Sequence, residues 1–142
     1  MEEKILKVFT DGGSRGNPGP AACGIHILLD DKELFRGGKY LGVKTNNIAE
    51  YSGLIIAINW VITNFQKYKF SKVLFTMDSE LIIKQIKGEY KVKDIKMKEL
   101  YAVAKEKLQD LDTEYQFKHT LRSGNKIADK IVNDILDETS RK

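Results

Sequence analysis

In 142 residues the chain has one cysteine, one tryptophan, two histidines and two prolines. A lone cysteine, Cys23, excludes an internal disulfide and a zinc site built on thiolates. Set among small and apolar neighbours, it reads as a buried small hydrophobe. No apolar run is long enough to span a bilayer, and the opening MEEKILKV has no basic leader pattern. The expectation is a cytoplasmic protein with no membrane attachment. Charge is not strongly one-sided either. Twenty-four Lys and Arg against twenty Asp and Glu leave a net +4, a mild bias toward a polyanionic partner. With 42% hydrophobic and 31% charged residues the composition is that of an ordinary globular protein. The length suits one domain over residues 1–142, large enough to bury a core without staples.

Both prolines fall in one stretch, VFTDGGSRGNPGP at residues 8–20, with four glycines. Asp-Gly is a common turn dipeptide, so a strand ending on Asp11 and falling into a loop is the simplest reading. Patterning predicts strands at about 4–11, 22–30 and 33–42, the last two joined by an Asp30-Asp31-Lys32 turn into a hairpin. Tyr51, Leu54, Ile55, Ile58, Val61, Ile62 and Phe65 recur at helical spacing and predict a helix from Ile48 to Phe65, capped by Asn46 or Asn47. KVLFTMDS reads as a fourth strand, SELIIKQIKG as a short helix closed by Gly88, and Met97 to Leu111 as a further helix. TEYQFKHT gives a fifth strand, and a last helix runs from about Gly124 to Asp137. Three strands followed by alternating helix and strand imply an α/β fold, a mixed sheet with helices on its faces.

Four acids lie at element boundaries beside apolar residues. Asp11 ends the first strand and Asp78 the fourth; if these strands are parallel neighbours, a spacing of about 4.8 Å sets the two carboxylates side by side. Ligand sites in open α/β sheets lie beyond such strand ends. Glu50 shares a helix side with Leu54, Ala57 and Val61 and so points inward, and Asp129 relates similarly to Val132 and Leu136. Each has a plain structural role as well: Asp78 as a helix cap, Glu50 in an Asn47-x-x-Glu50 capping box, Asp129 as an acid favoured by an early helical turn. Gathered carboxylates repel unless they share protons or bind cations, and ligation by oxygen alone selects hard divalent ions such as magnesium or manganese. Two such ions promote phosphodiester cleavage. Asp11 would then hold metal, while backbone N–H groups of the glycine-rich loop and Asn17 approach a nucleic-acid backbone.

FTDGGSRGNPGPAACG, TNNIAEYSGLIIAI, FTMDSELIIKQIKGEY and RSGNKIAD together resemble a ribonuclease H of type 1. They occur in family order and span about residues 5–136. The resemblance implies a five-stranded mixed sheet, three antiparallel strands then two parallel, with helices on both faces. It also implies metal-dependent endonucleolytic cleavage of the RNA strand of RNA/DNA hybrids, leaving 5′-phosphate and 3′-hydroxyl ends. On that resemblance Asp11, Glu50, Asp78 and Asp129 are catalytic ligands of two Mg2+ or Mn2+ ions. Gly12, Gly13, Asn17, Asn46, Asn47 and Ser79 would meet the hybrid, and Glu50 would lie near a 2′-hydroxyl, the group that distinguishes RNA from DNA. Double-stranded RNA and RNA-DNA junctions are further candidate substrates, and a monomer is expected.

Departures from the family pattern shape the rest. Some relatives carry a mobile histidine before the last helix; here that loop is the short HTLRSGN, so Arg122 is the stand-in, and His119 sits earlier, on a strand end. His26 reads as structural. Ser79 is followed by Glu80 where many relatives have glutamine. A basic protrusion with extra tryptophans is missing, since the one tryptophan, Trp60, belongs to the long helix. Between Lys84 and Lys107 eight lysines stand against four acids. Lys91, Lys93, Lys96 and Lys98 are either a solvated face or phosphate contacts. A junction resolvase or transposase-like core would reuse the same carboxylates, and a non-catalytic binding module would need one of them lost.

Overall fold

In the computed structural model, which describes residues 4–141, the elements follow in the order β1 (Ile5–Ser14), β2 (Gly19–Leu29), β3 (Lys32–Lys44), α1 (Asn46–Asn64), β4 (Lys72–Met77), α2 (Glu80–Ile86), α3 (Ile95–Gln109), β5 (Glu114–His119) and α4 (Lys126–Ser140). A short 3-10 turn at Arg122–Gly124 precedes α4. The five strands form one sheet in the order β3-β2-β1-β4-β5. β1 pairs antiparallel with β2 and parallel with β4, β2 pairs antiparallel with β3, and β4 pairs parallel with β5. The expected mixed sheet is thus the observed one. No described helix is long and apolar enough to cross a membrane.

The main core fills the space between one sheet face and α1, α2 and α3. Leu6, Val8, Ile25, Val73 and Phe75 from the strands meet Leu54, Ile58, Val61, Ile82 and Leu108 from the helices. Full burial of a side chain of this kind contributes about 1.5–3 kcal/mol. The buried face of α1 is the predicted one, and it includes Glu50 along with Leu54, Ala57 and Val61. A smaller cluster of Val132, Leu136 and Ala22 seats α4 on β2. There a Cβ on Gly24 would fall 2.5 Å from the carbonyl oxygen of Ala128, so α4 packs directly on the strand backbone.

Several boundaries differ from those read in the sequence. β1 does not stop at Asp11. It stays paired with β2 through Asp11↔Gly24, Gly12↔Cys23, Gly13↔Ala22 and Ser14↔Ala21, and only Arg15–Pro18 form the connection. A side chain at position 12 would be excluded: a Cβ there would lie 2.3 Å from the Ala49 carbonyl carbon and 2.4 Å from Glu50 N. Gly12 therefore marks a close approach of α1 rather than a turn. The connection is closed by Arg15 N–H donating to the Pro20 carbonyl at 2.8 Å, with Gly16 at φ +104°. The β2–β3 hairpin turns on Asp30 and Asp31, both at positive φ, a conformation that suits tight hairpins and that Asp tolerates.

Helix starts also move. Thr45, not Asn46 or Asn47, caps α1, its hydroxyl accepting from Ile48 N–H at 3.2 Å. Ser79 rather than Asp78 caps α2, and Asp94 caps α3, so α3 begins at Ile95 instead of Met97. α4 starts at Lys126 and runs to Ser140, because the residues before it wind into the 3-10 turn. For α1, α2 and α3 a hydroxyl or carboxylate three residues earlier in the chain satisfies an orphan N–H group of the first turn.

Candidate metal centre

The last β1–β4 pair is Phe9↔Thr76. Two residues further along the chain from each partner stand Asp11, still on β1, and Asp78, just past the end of β4. Glu50 arrives from the first turns of α1, which the missing side chain at Gly12 lets down onto β1. One carboxylate oxygen from each of Asp11, Glu50 and Asp78 lies within 4.8 Å of the others. Asp11 and Glu50 are buried, at 6% and 5% exposure; Asp78 is part-buried. Asp129, in the first turn of α4, lies outside that trio but lines the same cleft of about 330 Å³.

Burial and mutual repulsion dominate the electrostatics. Asp11 is pushed up to about 8, first by burial and then by the charges of Asp78 and Asp129. Glu50 is raised well above the usual carboxylate range by burial and by Asp11 and Asp78; the Gly12 N–H and the Arg122 guanidinium oppose this only in part. Oε2 of Glu50 is buried without a hydrogen-bond partner among the described residues. An orphaned buried oxygen is costly. Clustered carboxylate oxygens, one of them orphaned, are the donor set a hard divalent cation takes, and such a cation supplies the counter-charge the cluster lacks.

The rim is polar. Arg122 Nε lies 4.0 Å from Asp78 Oδ2 with its side chain 81% exposed. It belongs to the 3-10 turn rather than to an open loop. Asn46 N–H donates to Asn17 Oδ1 at 2.9 Å, and Ser14 N–H donates to Asn46 Oδ1 at 3.2 Å. Both side-chain carbonyls are thereby spent on joining the β1–β2 connection to α1. Gly12, Gly13, Asn46 and Ser79 line the cleft; Asn47 is part-buried beside it in the first turn of α1. His119 ends β5 and is exposed, with Glu80 as its charged neighbour, and does not line the cleft.

Lys91, Lys93, Lys96 and Lys98 are exposed, on the segment before α3 and on its first turn. Cys23 is fully buried, and burial pushes its thiol up to about 11. His26 is buried against Glu33, Nε2 to Oε2 2.9 Å. Ser14, Arg15 and Asn133 also line the cleft, unnoticed in the sequence. Arg15 is held there by Asp137 Oδ1 at 2.6 Å, across 122 residues, a partner that no local signal reveals.

A carboxylate cluster of this kind, at the carboxyl ends of two neighbouring parallel strands, defines a candidate site for a hard divalent cation. The family model described as reverse transcriptase-like matches residues 9–135. A protein named ribonuclease H from Alcanivorax borkumensis is 30% identical over 155 residues, covering 98% of this chain and 96% of its own. The chain belongs to the ribonuclease H family. It is 34% identical over 139 residues to the bifunctional protein Rv2228c of Mycobacterium tuberculosis, covering 94% of this chain but 36% of that relative's length. The solved structure of LC11-RNase H1 in complex with RNA/DNA hybrid superposes with a TM-score of 0.88 at 37% identity, over 94% of this chain and 98% of that one. Family membership and the acidic cluster together suggest dependence on divalent metal.

Proposed function

We propose that this chain is an endoribonuclease that hydrolyses the RNA strand of RNA/DNA hybrids with two divalent ions, magnesium or manganese, at the Asp11, Glu50, Asp78 and Asp129 carboxylates. The observation that carries the reading is the approach of Asp11, Glu50 and Asp78 oxygens within 4.8 Å, with Asp11 and Glu50 buried and their carboxyls raised. The relative solved with an RNA/DNA hybrid supports the choice of substrate. Asp11, Glu50, Asp78 and Asp129 would hold the ions, whose charge would lower the pKa of an attacking water and stabilise the leaving oxygen.

The chain's own residues supply position and charge. Asp11 and Asp78 are fixed by the sheet, Glu50 by α1 and Asp129 by α4, so the ligand set is rigid before substrate arrives. Arg122 is always protonated, so it acts electrostatically, holding positive charge near the scissile phosphate or helping a product phosphate leave. Asn17, Asn46, Asn47, Gly13 and Ser79 meet the hybrid, the amide NH2 groups of Asn17 and Asn46 being donors. Gly12 contributes by admitting α1, and through it Glu50. The exposed lysines from Lys91 to Lys98 contact phosphates, which positions the duplex without reading sequence.

A panel of end-labelled hybrid, double-stranded RNA, RNA-DNA junction and branched DNA, each with magnesium and with manganese, tests the assignment. Cleavage of the hybrid in its RNA strand, abolished by chelation, is expected. Preferential cleavage of branched DNA would replace this reading with that of a junction resolvase on the same fold.

A further inference from the structure

Asn125 stands immediately before α4, where an asparagine ordinarily turns its side chain back to cap its own helix. It makes no such bond here. Its Nδ2 instead donates to the carbonyl of Thr10 at 2.8 Å, 115 residues away in the chain. Thr10 directly precedes Asp11, one residue past the last pair of the β1–β4 ladder. The backbone of Asn125 is engaged on both sides as well. Its N–H donates to the Arg122 carbonyl at 3.0 Å, and its carbonyl accepts from Asp129 N–H at 3.1 Å. One residue thus joins the peptide before Asp11, the turn carrying Arg122 and the first turn carrying Asp129.

Stability alone does not account for this arrangement. Asn125 is 2% exposed, and its Oδ1 is buried with no partner among the described residues. The residue forgoes the cap and leaves half of its amide unsatisfied, an uncommon and unfavourable state for a buried polar group. What it gains is a direct tie between the peptide before Asp11 and the first turn of α4, which carries Asp129.

We propose that Asn125 is a positioning residue for the metal centre, setting Asp129 against Asp11 through its bond to the Thr10 carbonyl. This inference rests on the reading of Asp11 and Asp129 as metal ligands. Partners that orient a ligand rather than touch the metal are worth about 10- to 100-fold in metal affinity.

The test uses the full chain: calorimetric titration with Mn2+ alone, and steady-state cleavage of hybrid, for the parent, Asn125→Ala, Asp11→Asn and Leu108→Ala. Leu108 is a core residue of α3, in the cluster on the sheet face served by α1–α3, and controls for reduced stability. Asn125→Ala is expected to weaken Mn2+ binding by about 10- to 100-fold and to lower kcat, with the KM for hybrid changing less than about twofold. Leu108→Ala should lower the melting temperature and leave Mn2+ affinity at the parent's value. If Asn125→Ala fails to fold, Asn125→Gln, which keeps the amide on a longer stem, is measured instead with the same expected direction. Parent-like Mn2+ affinity in the Asn125 variant, or equal weakening in Leu108→Ala, overturns the positioning role while leaving the metal centre intact. Mn2+ binding that survives unchanged in Asp11→Asn overturns the metal-centre reading itself, and the positioning role with it.

Discussion

Removing one charge from the metal-free cluster should stabilise the protein, and by an amount that depends on pH. Consider Asp11→Asn. At 4.8 Å, the limit within which the cluster's oxygens lie, two carboxylates repel by about 3–4 kcal/mol at an effective dielectric near 20. Asp11 also carries the cost of burial, and together these raise its pKa from 3.8 to about 8. A raised carboxyl favours the protonated form in the folded state. Below about pH 4 both folded and unfolded chains hold the proton and the site costs nothing. Between pH 4 and 8 the unfolded chain releases a proton the folded chain keeps, so stability falls as pH rises. Above pH 8 the full penalty applies, on the order of 5 kcal/mol for a shift of this size.

Water entry and side-chain rotation relax part of that penalty, so a gain of about 2–5 kcal/mol is expected for Asp11→Asn near pH 8.5, shrinking toward zero near pH 4. At about 3 °C per kcal/mol for a chain of this size, the melting temperature should rise by roughly 6–15 °C. Circular-dichroism melts in EDTA from pH 4 to 8.5 measure this directly. The asparagine amide has its own burial cost, but that cost does not vary with pH, so the slope is diagnostic. A difference in melting temperature that stayed constant across the range, or a variant less stable than the parent at pH 8.5, would refute the repulsion argument.

Two further outcomes concern the rim. Arg122→Ala should reduce hybrid turnover by roughly 10- to 1000-fold, the scale of removing one aimed donor, while Mn2+ binding persists; His119→Ala should cost far less, and the reverse ranking would exchange their roles. Replacing two of Lys91, Lys93, Lys96 and Lys98 by Ala should weaken hybrid binding equally for all sequences and flatten its dependence on salt by roughly one counterion for each phosphate no longer neutralised. An unchanged salt slope would leave the segment a solvated face.

The clustering of Asp11, Glu50 and Asp78 was legible because each obeys a short-range rule. Glu50 follows the apolar spacing of α1, and Asp11 and Asp78 end apolar segments that the topology makes parallel neighbours. Their neighbouring placement then follows from register alone. Less was legible where the deciding partner is distant. Gly12 and Gly13 carry turn propensity, yet they continue β1 because α1 rests on position 12, a fact set by Ala49 and Glu50 almost forty residues on. Thr45 caps α1 although Asn46 and Asn47 are equally good capping types; the Asn46 side chain is engaged instead by Ser14 N–H. Asn125 falls at the expected start of a helix, and its bond to Thr10 spans 115 residues. Local chemistry names candidates; the partner elsewhere in the chain selects among them.

The central claim is that Asp11, Glu50, Asp78 and Asp129 form a metal centre for cutting RNA paired to DNA. It is tested most directly by incubating an RNA/DNA hybrid, labelled separately on each strand, with the parent and with Asp78→Asn in the presence of magnesium. The account predicts RNA fragments with 3′-hydroxyl and 5′-phosphate ends from the parent, an intact DNA strand, and no cleavage by the folded Asp78→Asn variant. Cleavage that survives in Asp78→Asn, or a parent that leaves the RNA strand whole in both magnesium and manganese, would contradict it.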